Sequence, residues 1–165
     1  MANTTKSPKT RKIAVIVEKG FCRSEFDAVT NAVREAGASF DVVSCKLGPV
    51  IDDSNGTVEA NQTYATTASL FYDAVYVPGG SHVNSLKSSG DLAAFLDEAY
   101  KHYKTVGLSG DASMLQTGMK LPAAKAKSKP SADALAGVVL PFGDMAQFAD
   151  EFISALSAVR HFQRG

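Results

Sequence analysis

The sequence predicts a three-layer α/β fold, a mostly parallel sheet with helices on both faces. Three observations point to it: short unbroken apolar runs rich in β-branched residues, amphipathic stretches of helical period between them, and glycine-bearing turns where the runs end. A strand covered on both faces has no polar side to show, whereas a covering helix carries a single apolar stripe. With 165 residues and 17.4 kDa the chain is the size of one domain. A single core of that size buries roughly 70% of the unfolded surface.

Ile13 to Val17 is the first such run and reads as strand one. Ser24 stands where an N-cap belongs, with Asp27 three residues on, and Phe26, Val29, Val33 and Ala36 fall on one helical face before Gly37 ends the helix. Phe40 to Val43 is the second strand. Val50-Ile51 and Thr57-Val58 then flank Asp52 to Gly56, a hairpin in which Asn55-Gly56 is expected to supply the positive φ angles of a tight turn. Ala74 to Val77 is another buried strand and runs straight into Pro78-Gly79-Gly80. From Asp91, the residues Leu92, Phe95, Leu96, Ala99 and Tyr103 make a helical stripe. Val106 to Leu108 is a strand ending in Ser109-Gly110-Asp111, and Met114 and Leu115 start a short helix. Val138 to Leu140 is a late strand, and Phe148, Phe152, Leu156 and Val159 stripe a helix from Asp144 to about Arg160. Strands alternating with helices in this way require parallel pairing through right-handed crossovers, in a fold of flavodoxin-like type.

Seventeen basic residues balance seventeen acidic ones, which argues against the one-sided field of a nucleic-acid or membrane-surface binder. The balance is uneven, because residues 1–12 and 120–130 each hold four lysines or arginines and no acid. Without those eight, nine basic residues face seventeen acidic ones, so the body of the domain is acidic. Residues 1–12 therefore read as a basic linker, with no apolar stretch of a secretory signal, and 13–165 as the single domain. Ala123 to Pro130 reads as a solvated loop, and no apolar run is long enough for a bilayer. Cys22 and Cys45 lack the number and spacing of a disulfide framework or zinc site and read as buried or idle thiols.

In an open parallel sheet, chemistry sits beyond the carboxyl ends of the strands, where strand order reverses. Glu18-Lys19-Gly20, Pro78-Gly79-Gly80 and Ser109-Gly110-Asp111 are the turns expected there. Gly107 to Gly110 resembles part of a nucleophile elbow that would present the Ser109 hydroxyl above the sheet, but Asp111 stands where the second glycine of the pattern belongs. A serine nucleophile also needs a base, and His82, after the glycine pair, is better placed than His102 or His161, which sit late on helices. Gly79-Gly80 is no dinucleotide fingerprint. The adjacent pairs Asp52-Asp53 and Asp150-Glu151 point in different directions and read as solvated surface. Asn3, Asn55 and Asn61 open N-x-Thr sequons that matter only in a secreted parent.

The segments RKIAVIV at 11–17, FYDAVYVPGG at 71–80, EAYKHYK at 98–104 and the close from Phe152 to Arg164 resemble the ThiJ/PfpI superfamily, a branch of the class I glutamine-amidotransferase-like folds. More narrowly, they resemble the carboxyl-terminal domain of large-subunit haem catalases. Catalytic members of that superfamily carry a cysteine at the elbow, often a histidine beside it, and a glutamate after strand one. The resemblance places Gly110 at the cysteine, or Ser109 after a one-residue shift, Asp111 at the histidine and Gly20 at the glutamate. It thus implies a degenerate site with no catalytic residues, and no cofactor or metal in this domain. Haem and the decomposition of hydrogen peroxide would belong to an upstream core in a homotetrameric parent. The implied partners are that core, sibling subunits and, as for some relatives, unfolding client proteins. A residual hydrolase or glyoxalase-like activity at Ser109 and Gly110 stays open as the alternative.

Overall fold

The computed structural model describes residues 11–64, 66–67, 71–88, 90–101, 104–110, 112, 138–139 and 145–157. The elements are β1 (Lys12–Ile16), α1 (Arg23–Glu35), β2 (Ser39–Ser44), β3 (Gly48–Ile51), β4 (Thr57–Ala60), β5 (Gln62–Thr63) and β6 (Ala74–Val77). They are followed by α2 (Val83–Leu86), α3 (Gly90–Lys101), β7 (Thr105–Leu108), β8 (Val138–Val139) and α4 (Met145–Ser157). Six strands form one parallel sheet in the order β5-β2-β1-β6-β7-β8, and β3 and β4 pair as a separate antiparallel ribbon. The three-layer, flavodoxin-like reading holds.

Period-two alternation divides the sheet between two cores. Ile13, Val15, Ala74 and Tyr76 face Phe26, Val29 and Val33 of α1 and Phe148, Phe152 and Leu156 of α4. Ala14, Ile16, Val75, Val77, Val106 and Leu108 face Val83 and Leu86 of α2 and Leu92, Phe95, Leu96 and Ala99 of α3. The chain leaves β1 toward β2 on one side and later returns to β6 on the other. The carboxyl ends of β1 and β6 therefore flank the crevice where strand order reverses.

Several boundaries differ from the sequence expectation, for reasons that lie outside the local sequence. Cys22, not Ser24, is the N-cap of α1, and its side chain makes no capping bond. The Arg23 N–H is instead taken by the Asp53 carboxylate at 3.1 Å, from the loop between β3 and β4, so a distant acid satisfies the start of the helix. Gly37, at φ 83°, ends it as expected, with Ala38 N donating to Val33 O at 3.0 Å. In the ribbon loop Asn55 has φ 65°, but Gly56 does not share the positive φ expected of it. Asp52 accounts for this, because its Oδ1 accepts the N–H groups of Ser54 at 2.7 Å and Gly56 at 2.9 Å and winds the loop about itself. Asp52 is consequently no solvated surface residue. It is 5% exposed and also receives the Arg23 guanidinium at 3.2 Å.

Lys12 opens β1 rather than closing a linker, and its ammonium meets Asp41 at 3.0 Å. The short strand β5 and helix α2 carry no readable periodicity and are additions to the sequence expectation. The expected helix at Met114 and Leu115, the basic loop from Ala123 to Pro130, Leu140, Asp144 and the helix end at Val159 and Arg160 lie outside the described residues. Among the described residues, no helix is long and apolar enough to cross a membrane.

Candidate functional site

Loops 18–22, 78–82 and 109–110 meet above the carboxyl ends of β1, β6 and β7. Phe21 bridges both Gly80 and Asp52, and Cys22 N donates to Gly79 O at 2.7 Å, so the first loop is threaded between the glycine turn and the ribbon. The sheet topology brings the three expected turns to one place. It does not assemble the nucleophile and base.

Ser109 is 0% exposed rather than presented above the sheet. Its Oγ lies 2.7 Å from the Tyr76 hydroxyl, which itself donates to the Glu25 carbonyl at 3.2 Å. Tyr76 has one proton and spends it on Glu25, so Ser109 is the donor in the pair, and its hydroxyl serves a buried structural bond. Burial holds the Tyr76 phenol well above its ordinary value despite the Ser109 bond, so it offers no base.

His82 is 1% exposed and both of its ring nitrogens are committed to backbone. Glu18 N donates to Nδ1 at 3.1 Å, which fixes the tautomer with the proton on Nε2, and Nε2 donates to Pro78 O at 2.6 Å. The imidazole ties the strand-one loop to the glycine turn and faces no hydroxyl. Burial pushes it below its ordinary 6.5, against the Pro78 carbonyl and the carboxylates of Glu18 and Glu25, which favour the charged ring. The folded state therefore resists a proton that the unfolded chain accepts. Stability is fully present above pH 6.5 and falls as the pH drops below it, until the lowered folded value is reached. The slope is about 1.4 kcal/mol per pH unit for one proton. His82→Gln keeps a donor for Pro78 but does not titrate, and denaturation midpoints measured from pH 7.5 to 5 should lose this slope while being lower at neutral pH.

Gly110 is exposed and has φ 52°. A β-carbon built on it lies 2.8 Å from Glu25 Oε1 and 2.9 Å from Oε2, so the apex of the elbow faces a carboxylate. Glu25 Oε1 also accepts Gly79 N at 3.3 Å. Gly20, the residue expected at the acid position, packs instead against Ser81, and its N–H donates to Ile51 O at 2.8 Å. The acid beside the elbow comes from the first turn of α1. Counting from the strand rather than from the helix start misses it; the acidic first turn is the available signal. Asp111, His102 and His161 lie outside the described residues.

Neither thiol is buried, contrary to one part of the expectation. Cys22 is half-exposed, 3.3 Å from Ser24 Oγ, and Cys45 is exposed, 3.3 Å from Glu18 Oε2. Burial raises both thiols; Ser24 opposes the rise at Cys22, and Glu18 adds to it at Cys45. Both stay protonated at neutral pH and are weak nucleophiles. Asp150 and Glu151 are exposed on α4, and among the described residues no group of three or more His, Cys, Asp or Glu side chains is placed to hold a metal. Among the described residues, His82 and two buried tyrosines are already committed and offer haem no free axial ligand. His82 has spent both nitrogens, and the hydroxyls of Tyr72 and Tyr76 are bonded to Asp41 and Ser109.

A family model for the C-terminal domain found in long catalases matches residues 9–165. The chain belongs to that family. This catalase C-terminal domain is 34% identical over 168 residues to Catalase-2 of Bacillus subtilis (strain 168), covering 99% of this chain and 22% of that protein. It is 38% identical over 106 residues to a catalase of Alkalihalophilus pseudofirmus, covering 64% of this chain and 15% of that protein. The chain thus spans about a fifth of the curated relatives' length. Among solved structures it is similar to a ThiJ/PfpI domain protein from Brachyspira murdochii, with a TM-score of 0.78 at 17% identity over 90% of this chain and 97% of that one. It is also similar to oxidized Toxoplasma gondii DJ-1, with a TM-score of 0.75 at 22% identity over 94% of each chain. These structural likenesses carry the fold alone. The catalase C-terminal domain has a ThiJ/PfpI-like fold.

Proposed function

We propose that this domain is a non-catalytic accessory of a long catalase, and that it stabilises a parent whose upstream haem core decomposes hydrogen peroxide. The observation that carries this reading is the elbow. Its apex is Gly110, the neighbouring Ser109 is locked to Tyr76, and His82 has no free nitrogen. Nucleophilic catalysis needs an attacking atom and a base in hydrogen-bond reach of each other, and neither Ser109 nor Gly110 offers that here. Glu25 faces the bare Gly110, and the one thiol it touches, Cys22, is pushed up by burial and by that same carboxylate, so it stays protonated. The hydrolase or glyoxalase alternative has no comparable support.

Removal of the domain from the full-length protein tests the reading. The expected result is an unchanged initial rate of peroxide decomposition and a thermal inactivation rate raised about tenfold, equivalent to a loss of about 1.4 kcal/mol. An unaltered inactivation rate would remove the stabilising role. Client holding is a second role, supported by the exposure of Leu47, Ile51 and Phe71 among the described residues. It predicts that the full-length protein suppresses light scattering by a heated client, and that the shortened one does so less.

A further inference from the structure

In the loop between β3 and β4, Asn55 is followed by Gly56 and is exposed, and among the described residues its carboxamide makes no hydrogen bond. Its φ of 65° is the left-handed conformation that asparagine tolerates better than most residues. The other asparagines differ. Asn61 is held at both amide atoms, with Oδ1 accepting Val42 N at 2.8 Å and Nδ2 donating to Asp41 at 3.1 Å. Asn31 and Asn84 lie inside α1 and α2 and precede Ala32 and Ser85, and Asn3 lies outside the described residues.

A side-chain amide is open to attack by the backbone nitrogen of the next residue, and glycine resists that attack least because no β-carbon shields its nitrogen. The loop requires glycine here. A β-carbon on Gly56 would lie 2.7 Å from Asp52 Oδ2, so only a bare residue closes over that carboxylate. The same carboxylate then restrains the reactive nitrogen. Asp52 Oδ1 accepts Gly56 N at 2.9 Å, and Gly56 O accepts Asp52 N at 2.9 Å, so Gly56 is held by its N–H and its C=O together. Ser54 N at 2.7 Å and the Arg23 guanidinium at 3.2 Å fix the carboxylate in turn. Burial raises Asp52, but the N–H groups of Ser54 and Gly56 and the Arg23 charge outweigh it and keep the carboxyl below its ordinary value, so it is ionised at neutral pH. An N–H donated to a carboxylate is harder to deprotonate, and turning it toward the Asn55 side chain costs a charge-assisted bond.

We propose that Asn55 is a modification site, at which this chain deamidates through a cyclic imide, and that the Asp52 carboxylate is the latch that slows the reaction in the folded domain. The Gly56 nitrogen gives up its proton and bonds to Asn55 Cγ; the Cγ–Nδ2 bond breaks, and the amide nitrogen leaves with that proton as ammonia. Water then opens the ring. Breaking the new bond to Cγ leaves an aspartate, whereas breaking the original bond to the main-chain carbonyl carbon leaves an isoaspartate, with the side-chain methylene now in the main chain. Water is the only co-reactant, and nothing is oxidised or reduced.

The test incubates the full-length protein at neutral pH, folded and in urea, and follows the amide-to-acid mass shift and the isoaspartate content of the peptide around Asn55. The folded chain should react about tenfold more slowly than the unfolded one, the factor that a single charge-assisted hydrogen bond supplies. Asp52→Ala should remove about that factor in the folded protein and leave the rate in urea unaltered. Asn55→Gln should abolish the shift in both states. Amide exchange over β3 and β4 reports whether the ribbon of Asp52→Ala is intact. Should exchange there rise, Asp52→Asn, which keeps both acceptor bonds without the charge, repeats the measurement, with fragmentation placing the shift at position 55; its folded rate should lie between those of the wild-type folded and unfolded chains. Equal folded and unfolded rates in the wild-type protein overturn the latch. A folded rate that neither Asp52 substitution raises assigns the protection to the fold as a whole and overturns it as well. Absence of the shift at Asn55 in urea overturns the modification site.

Discussion

Gly80→Ala is expected to destabilise the domain by about 3 kcal/mol or more, among the largest effects available to a single methyl group. Gly80 has φ +115°, a conformation that L side chains rarely adopt. A β-carbon there would stand 2.5 Å from Gly20 O, 2.6 Å from Cys22 N and 3.0 Å from Phe21 C. All three are backbone atoms of the strand-one loop, which is itself pinned to the ribbon and to His82, so no side chain can swing aside. Gly48→Ala is the control. Its φ is +105°, but nothing lies within 4 Å of the added carbon, so it carries backbone strain alone, about 1 kcal/mol. Urea midpoints at constant slope measure both. Equal losses in the two variants would mean that the close approach at Gly80 is not what constrains the residue.

The second large effect lies where α4 meets the sheet. Phe152→Ala should cost about 3–5 kcal/mol, because the ring is fully buried and packs on Tyr76 with centroids 5.8 Å apart. Gly107 makes that position possible. A β-carbon on it would meet Phe152 Cδ2 at 2.6 Å and Cε2 at 2.7 Å, so Gly107→Ala alone should cost about 1–3 kcal/mol by overpacking. In a Phe152→Ala background those ring atoms are gone and the nearest remaining contact is Tyr76 Cδ1 at 3.4 Å, so the same substitution should be nearly neutral. The expected coupling is about 1–3 kcal/mol, read from a double-mutant cycle of denaturation midpoints. Additive losses would place the cost of Gly107→Ala in the strand backbone rather than in the ring.

Much of this architecture is legible in the amino-acid sequence. The run from Ile13 to Val17, the stripe of Phe26, Val29 and Val33, and the stripe of Leu92, Phe95, Leu96 and Ala99 all express burial through local period, which the order of residues along the chain preserves. The glycine turn at Pro78 to Gly80 and the elbow at Ser109 and Gly110 are legible too, because positive φ and strand ends leave a residue signature. The hydrogen-bond partners of polar side chains are not. The elbow pattern puts the Ser109 hydroxyl in solvent, yet it is bonded to Tyr76, and the adjacent acids read as surface although Asp52 is buried with Arg23. Ser24 has the right type and place to cap a helix that Asp53 caps from another element.

The sequence by itself determined the alternating architecture, the position of the elbow beyond a buried strand and the absence of a thiol at its apex. Only the tertiary structure decided that Glu25 faces Gly110, that His82 is a clasp between two loops, and that Asp52 is buried and paired with Arg23. The reason is one of range. Periodicity is written by neighbours a few residues apart, whereas these three facts depend on groups from α1, β7 and loops as many as 64 residues apart, brought together by sheet order.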